Sequence, residues 1–402
     1  MKIIGALAVG MIYQFYYGGG DTYNYHTWGS RIIWEAFFDS PAKWFKLVFG
    51  DNTDATGIYN YSTRILFFYD PSSYAVVRVA GFFDLFTFSA YSATAVLFAV
   101  FCFIGVWMLF LTFYHGYPDL HRLLATAIFF IPSVFFWGSG LLKDTLTLGC
   151  LGIATFTIHR IFIQRKFRFD LFVLLLVALL GLFKIKIYIL LVYLPAIIVW
   201  VFLENLDSLK SLVLRIMLFP SVITIATVIA YFAMIKASED NAKYSINSIA
   251  KTAQVTAYDI RYLSGKDAGS GYTLGELDGT FGSMIALAPQ AINVSLFRPY
   301  LWEVNNPLML LSSLESVVFL VATLRILFRY NLRIFRVFLQ PPIFFSLIFS
   351  LTFAFAVGVS TYNFGTLVRY KIPLLPFFAL SLILITDYSN RERNVGVLEL
   401  TE

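Results

Sequence analysis

The chain has 402 residues, of which 59% are hydrophobic and 13% are charged, and its mean hydropathy is +0.74. Soluble domains carry about 25% charged residues, so this composition excludes an ordinary soluble domain and places most of the chain in lipid. The formal charge of +6 does not indicate nucleic-acid binding, because no block of Lys and Arg stands out. Both cysteines lie in apolar runs and imply neither a disulfide framework nor a metal cluster.

In chain order, apolar runs predict an all-α fold, a polytopic transmembrane helix bundle of about ten spans. The first run follows Lys2, is short for a span and ends without the small-residue motif of a signal-peptide cleavage site. The predicted spans are 3–17, 88–113, 122–139, 145–163, 169–183, 187–203, 213–235, 306–324, 337–357 and 372–388.

Two basic segments set the predicted orientation. "HRIFIQRKFR" (159–168) and "RILFRYNLRIFR" (325–336) fall between spans, and short loops rich in Lys and Arg stay in the cytoplasm. The sequence therefore predicts a multi-pass protein of the cell inner membrane with both termini cytoplasmic. It divides into a membrane module at 1–235 with a first outer loop at 18–87, a long outer loop at 236–305, and C-terminal spans with a short cytoplasmic tail at 306–402.

The two long outer segments differ in amino-acid composition and in the structure that it predicts. In the first, "TWGSRIIWEAFF" (27–38) and "SPAKWFKLVF" (40–49) mix Trp, Phe, Lys and Glu at helical spacing, which is typical of helices lying in the headgroup plane. The second is polar and rich in glycine, and a loop of that length is usually functional or disordered.

Basic residues lie at the predicted outer ends of several spans, where short loops normally avoid positive charge. Each one alone is interpreted as a snorkelling anchor, but together they indicate an anionic partner at headgroup depth. That partner is either ordinary anionic membrane lipid or the phosphate of a lipid-linked substrate. The residues are Lys143, Lys184, Lys186, Arg298, Arg369 and Lys371.

Acidic residues supply the complementary chemistry. In "YYGGGDTYNYHTWGSR" (16–31), three glycines permit a sharp turn that would hold Asp21 at the membrane surface as a general base or cation ligand. Its alternative role is a helix N-cap. Asp144 is a second catalytic or metal-binding candidate, with an intramolecular ion pair as the alternative. His26 is a candidate for positioning substrate, against a purely structural role, and Glu315 needs a partner or a cavity inside its span.

Three stretches carry a resemblance to a known class. A first span followed by an outer-loop acid, a second acid in "GSGLLKDTLTL" (138–148), and the ending "RYKIPLLPFFAL" (369–380) together resemble the GT-C class of polytopic glycosyltransferases. The protein O-mannosyltransferase and aminoarabinose transferase groups are the most similar. One departure concerns the paired acids of the first loop in that class, which are reduced here to Asp21 followed by Thr22.

The resemblance implies roles for individual residues. Asp21 would be the catalytic base, and Asp144 would help to bind a metal or the acceptor. Lys143, Arg369 and Lys371 would hold the phosphate of a polyprenyl-phosphate sugar donor. The remaining basic candidates rest on the charge argument alone, and a divalent metal ion is an open question.

The sequence-based hypothesis is a membrane glycosyltransferase that moves a sugar from a polyprenyl-phosphate donor to a glycan, lipid or protein acceptor at the outer face. A lipid-linked polysaccharide polymerase or ligase is a neighbouring alternative, because such enzymes also use outer arginines and a long outer loop. A transporter of a lipid-linked substrate and a structural partner in an envelope assembly are the non-catalytic alternatives.

Overall fold

The computed structural model describes residues 1–206, 270–331 except 277, and 334–398, together with isolated positions between 221 and 258. These residues form helices and their connections, and their only β feature is a bridge between Gly271 and Asn363. The all-α prediction is confirmed. The chain divides into two compact units, each described by itself below.

Unit 1 comprises Met1–Gly116, Ser133–Ile161 and Arg165–Ile187. Its helices are α1 (Lys2–Phe15), α2 (Asp21–Tyr25), α3 (Arg31–Asp39), α4 (Pro41–Phe49), α5 (Tyr59–Ser62), α6 (Pro71–Thr87), α7 (Tyr91–Tyr114), α9 (Pro132–Phe136, from Ser133), α10 (Lys143–Ile158) and the first part of α11 (Phe169–Asn205). The first helix, α1, is apolar but only 14 residues long, and five further α-helices, α2 to α6, lie within the predicted first outer loop 18–87.

The core of unit 1 is the tight pair α7 and α10. A Cβ added at Gly105 would overlap the backbone of Gly149, and one added at Gly152 would overlap the backbone of Gly105. Small residues let two helices approach closely in lipid, where packing replaces the hydrophobic effect as the driving force. This contact fixes α10 against α7.

The predicted span 122–139 is broken in the structure. Helix α8 (His121–Phe129) ends before Pro132, and α9 is followed by a buried irregular stretch at 137–142. Lys2 is buried and donates hydrogen bonds of 2.8 Å to the carbonyl oxygens of Val134 and Gly138. The first-span lysine therefore satisfies backbone carbonyls freed by this break instead of lying at the membrane surface.

Unit 2 comprises Tyr117–Pro132, Phe162–Gln164 and Tyr188–Glu402. A Cβ at Gly358 would overlap the backbone of Ala291, so two of its helices also meet at a small residue. Its helices are α8, the last part of α11, α12 (Phe281–Ala286), α13 (Ala288–Phe297), α14 (Pro307–Tyr330), α15 (Ile334–Val337), α16 (Pro341–Thr361), α17 (Phe364–Tyr370) and α18 (Leu375–Leu398).

Five helices in the described part of the chain are long and apolar enough to cross a membrane, or six if the bent pair α17 and α18 is one span. The predicted spans 169–183 and 187–203 both fall within α11, a 37-residue helical run that is kinked between them at Lys186, where the backbone angles are non-helical. Most of the predicted span 213–235 lies outside the described residues, as does most of 236–269 in the predicted outer loop. The count of about ten spans stays a prediction.

Candidate active site: a lysine–aspartate cluster

Asp21 follows a turn that only glycine adopts easily. Gly18, Gly19 and Gly20 have φ values of +67°, +131° and +123°, in the left-handed half of backbone space. Gly20 is the N-cap of α2, so Asp21 is the first helical residue and its carboxylate is not the cap. The half-buried carboxylate lies at the helix N-terminus, where the helix dipole favours negative charge.

Lys143 begins α10 and reaches the start of another helix. Its Nζ donates a hydrogen bond of 2.8 Å to Ser72 Oγ and lies 3.9 Å from Asp70 Oδ2. Ser72 Oγ in turn donates to the carbonyl oxygen of Ile185 at 2.8 Å. Asp70 is the N-cap of α6 and accepts the backbone N–H of Ser72. One lysine therefore joins the starts of α6 and α10 to the kinked region of α11.

Asp144 and Lys186 form a buried ion pair beside Lys143. The Asp144 side chain is fully buried and that of Lys186 is 6% exposed, and Lys186 Nζ donates to Asp144 Oδ1. Asp144 lies in the first turn of α10, where free backbone N–H groups and the helix dipole stabilise its charge. The non-helical angles at Lys186, φ −146° and ψ 78°, turn α11 at the residue that makes this contact.

These residues form one group, the lysine–aspartate cluster, defined as Asp21, Asp70, Lys143, Asp144 and Lys186. Lys143 interacts electrostatically with each of the other four. The cluster joins four segments that are far apart in the sequence, and it contains Asp21 and Asp144, the two acids predicted to be catalytic. Its carboxylates outnumber its ammonium groups by one, which suits a site that must accept a proton.

The side chains of the lysine–aspartate cluster range from buried to exposed. The Asp144–Lys186 pair is buried, the Lys143 side chain is 20% exposed, and the Asp70 side chain is 50% exposed. A charged ligand can reach Lys143 without displacing the buried pair. The buried pair in turn fixes the helix start from which Lys143 projects.

The described part of the chain contains no preformed set of metal ligands. No group of three or more His, Cys, Asp or Glu side chains there is arranged to hold an ion. Of the two predicted metal candidates, Asp144 bonds to the Lys186 ammonium, with which a divalent cation would compete.

His26 belongs to a different network of unit 1. Its ring is buried, with Nε2 3.1 Å from the Ser89 carbonyl oxygen and an edge-on contact with Tyr91. Asp84, also buried, accepts hydrogen bonds from Thr94 and Ser89 and interacts electrostatically with the ring. Burial lowers the pKa of His26, and the Asp84 charge opposes that shift without reversing it. This packing matches the structural alternative for His26.

Lys184 does not join the buried Asp144–Lys186 pair. Its side chain is exposed, and Nζ lies 5.9 Å from the centre of the Phe183 ring. The ammonium of Lys186, two residues later, is buried. Residues two positions apart lie on opposite faces of a helix, so these two lysines, which the sequence analysis grouped together, have different surroundings.

Arg298 lies in unit 2 and is held by a carboxylate. It donates to both oxygens of Glu303, and Glu303 also accepts the backbone N–H of Tyr300 at 2.8 Å. Burial acts to raise the pKa of Glu303, but the hydrogen bonds from Arg298 and Tyr300 outweigh it, so the net shift is downward. The guanidinium lies among the rings of Tyr272, Tyr300 and Phe364.

Lys371 and Glu315 form a second buried pair, also in unit 2. Their side chains are 0% and 2% exposed, and Nζ lies 3.9 Å from Glu315 Oε1. Lys371 donates to Ser316 Oγ at 3.3 Å, and Ser316 donates to the Arg298 carbonyl oxygen at 3.0 Å. Arg298 and Lys371 therefore belong to one network. Arg369, half-buried near the end of α17, precedes this lysine by two residues.

Asp70 and Ser72 were missed by the sequence analysis. A signal was present, because "YDPSSY" (69–74) has the Asp-Pro order of a helix start, which places a carboxylate in the same loop as Asp21. The Asp84 network was missed because a lone acid in an apolar run gives no indication of its partners.

No family model, no curated protein and no solved structure matches this chain.

Proposed function

We propose that the protein is a membrane glycosyltransferase that transfers a sugar from a polyprenyl-phosphate donor to an acceptor hydroxyl group. The observation that carries this proposal is the convergence of Asp21, Asp70 and Lys186, from three separate segments, on the start of α10 at Lys143 and Asp144. A base, a cation and a fixed supporting pair are the groups that displacement at an anomeric carbon requires.

The proposed reaction is a single displacement. The Asp21 carboxylate takes the proton of the acceptor hydroxyl group while the hydroxyl oxygen attacks the anomeric carbon. The bond from that carbon to the phosphate oxygen breaks, and its electron pair leaves with the phosphate, inverting the configuration. The Lys143 ammonium stabilises the negative charge that develops on the phosphate. Asp144 and Lys186 act as positioning residues, because they hold the start of α10 in place.

The basic residues of unit 2 receive distinct roles in this proposal. For Arg369 the class resemblance implies a phosphate-binding role, which stays a prediction. Arg298 and Lys371 already have carboxylate partners, so they act as positioning residues for the segments at 298–303 and 364–375. We also propose that the chain crosses the inner membrane about ten times with both termini in the cytoplasm. Terminal reporter fusions that score cytoplasmic location test that topology.

One observation favours a second candidate function. Buried acid–base pairs inside a helix bundle are typical of proton-coupled transporters, and Lys371 and Glu315 form such a pair. A transporter would move a lipid-linked substrate across the membrane without breaking its phosphate bond. Assays for lipid translocation and for sugar transfer on the same proteoliposomes therefore separate the two functions.

The experiment compares sugar transfer by the wild type and by Asp21→Asn in proteoliposomes supplied with polyprenyl-phosphate sugars from a native lipid extract. Loss of the general base should lower the transfer rate about 10²- to 10⁴-fold. Asp39→Asn is the matched control, because Asp39 lies on α3, is exposed and pairs with Lys43 outside the cluster. Full transfer by Asp21→Asn would refute the proposal, as would equal losses in both variants.

A further inference from the structure

Unit 2 contains an apolar groove that the proposed reaction does not use. Its volume is about 650 Å³, within the range of small-molecule sites. Residues of α14 and α18 line most of it, aliphatic side chains are the majority of the lining once Leu120 and Leu123 are included, and polar groups gather at one end. The lining residues used below are Val318, Val321, Arg325, Arg329, Asp387 and Asn390.

The groove has the length of one lipid leaflet. The α14 residues that line it run from Val317 to Tyr330, which is about 20 Å of helix at about 1.5 Å per residue. One leaflet of a bilayer contributes about 15 Å of hydrocarbon, half of the usual thickness. The apolar span window in α14 is only 33% buried within the protein, the lowest share among the five long apolar helices described. Most of the surface of this helix is therefore not packed against the rest of the protein.

Positive charge lies at one end of the groove. Arg325 and Arg329 are both exposed and follow the apolar lining along α14. Arg329 contacts Asn390 Oδ1 at 3.5 Å and stacks over the Tyr330 ring at 5.5 Å. Asp387 is the acid in the lining, and Arg391 lies 2.9 Å from it in an ion pair. Because Asp387 is paired with Arg391, it does not neutralise Arg325 and Arg329, and the polar end of the groove keeps their positive charge.

We propose that this groove binds an anionic phospholipid, with an acyl chain along α14 and the headgroup phosphate against Arg325 and Arg329. Charge complementarity carries this assignment. Basic pockets between membrane helices bind anionic headgroups, and arginine holds phosphate in a forked, two-bond geometry. The occupant is a lipid rather than a peptide, because the walls ahead of the arginines are aliphatic from Val317 to Arg325, about 12 Å of helix and close to the hydrocarbon depth of one leaflet. The orientation rule assigns the site to the cytoplasmic leaflet.

The test is native mass spectrometry of the full-length protein, titrated with phosphatidylglycerol or phosphatidylcholine in detergent micelles. Removing one arginine should weaken phosphatidylglycerol binding about fivefold, and Arg325→Ala with Arg329→Ala should weaken it more. Arg168→Ala is the charge-matched control, because Arg168 is exposed and pairs with Asp170 outside the groove. Phosphatidylcholine binding should be weak and insensitive to all three changes.

A steric variant tests the acyl-chain part of the proposal. Val321→Trp fills the groove and should lower phosphatidylglycerol binding, whereas Val177→Trp, on exposed α11 in unit 1, should not. Equal binding of the two lipids by the wild type would overturn the assignment, as would unchanged phosphatidylglycerol binding in the double arginine variant or in Val321→Trp. A change of oligomeric state without a change in lipid binding would show that a second copy of the chain fills the groove.

Discussion

The two units each bury a lysine against a carboxylate, yet the surroundings of the two pairs differ. In unit 1, the Asp144–Lys186 pair is in direct contact, and half-buried or exposed charges at Lys143, Asp70 and Asp21 continue from it. In unit 2, the Lys371–Glu315 pair is almost fully enclosed, at 0% and 2% exposure. In unit 2, the charge that continues from the buried pair is Arg298, and its guanidinium already binds the Glu303 carboxylate. This comparison favours unit 1 as the location of the proposed chemistry.

The largest expected effect comes from breaking either buried pair. Lys186→Met or Lys371→Met leaves a carboxylate buried without its cation, which should cost about 3–5 kcal/mol of unfolding free energy. SDS-induced unfolding in mixed micelles, followed by far-ultraviolet circular dichroism, measures this loss. The double variant Lys186→Met with Asp144→Leu should recover most of the stability, because no charge remains buried. No recovery in the double variant would contradict the ion-pair account.

A smaller effect is expected from the replacement of Lys143, the accessible cation of the cluster in unit 1. Lys143→Ala removes the accessible cation, so the KM for a polyprenyl-phosphate donor should rise roughly ten- to hundredfold, the value of one charge-assisted hydrogen bond. Initial-rate transfer assays at varied donor concentration measure this change. Lys43→Ala is the control, since Lys43 is exposed and pairs with Asp39. An unchanged KM in Lys143→Ala would remove this residue from the donor site.

The smallest effect expected is a pH dependence of stability from His26. Burial holds its folded-state pKa below the unfolded value of about 6.5, so the unfolded chain binds the proton more readily. The contribution to stability is complete above that unfolded pKa and is lost as the pH falls towards the folded pKa. Thermal unfolding between pH 7.5 and 5 should show a falling Tm that His26→Gln flattens. A Tm with the same pH dependence in both proteins would exclude His26 as its source.

The fold was predictable where a helix is long and uniformly apolar, as in α7, α14 and α16. These helices match the predicted spans 88–113, 306–324 and 337–357 to within a few residues at most ends. The break in 122–139 was not predicted, although Pro132 and the glycines at 138 and 140 interrupt that run. Hydropathy averages over such residues, whereas backbone geometry responds to each one.

The candidate site was predictable in its residue types but not in its pairings. Charges at span ends indicated Asp21, Lys143, Asp144 and Lys186, and the structure brings these four together. The sequence could not show that Lys186 turns inward and Lys184 outward, because α11 is apolar on all sides and its pattern does not indicate which face packs inward. Nor could it show the Lys371–Glu315 pair, which joins residues 56 positions apart through packing within unit 2.

The most direct test of the account measures single-turnover sugar transfer by Asp21→Asn and Glu315→Gln, each normalised to the amount of folded protein. The account predicts that Asp21→Asn loses at least about 100-fold in transfer rate, because the base is gone. Glu315→Gln should stay within about threefold of the wild type per folded molecule, since its pair stabilises packing only. The opposite pattern, with transfer retained by Asp21→Asn and lost in folded Glu315→Gln, would contradict the assignment of the chemistry to the lysine–aspartate cluster.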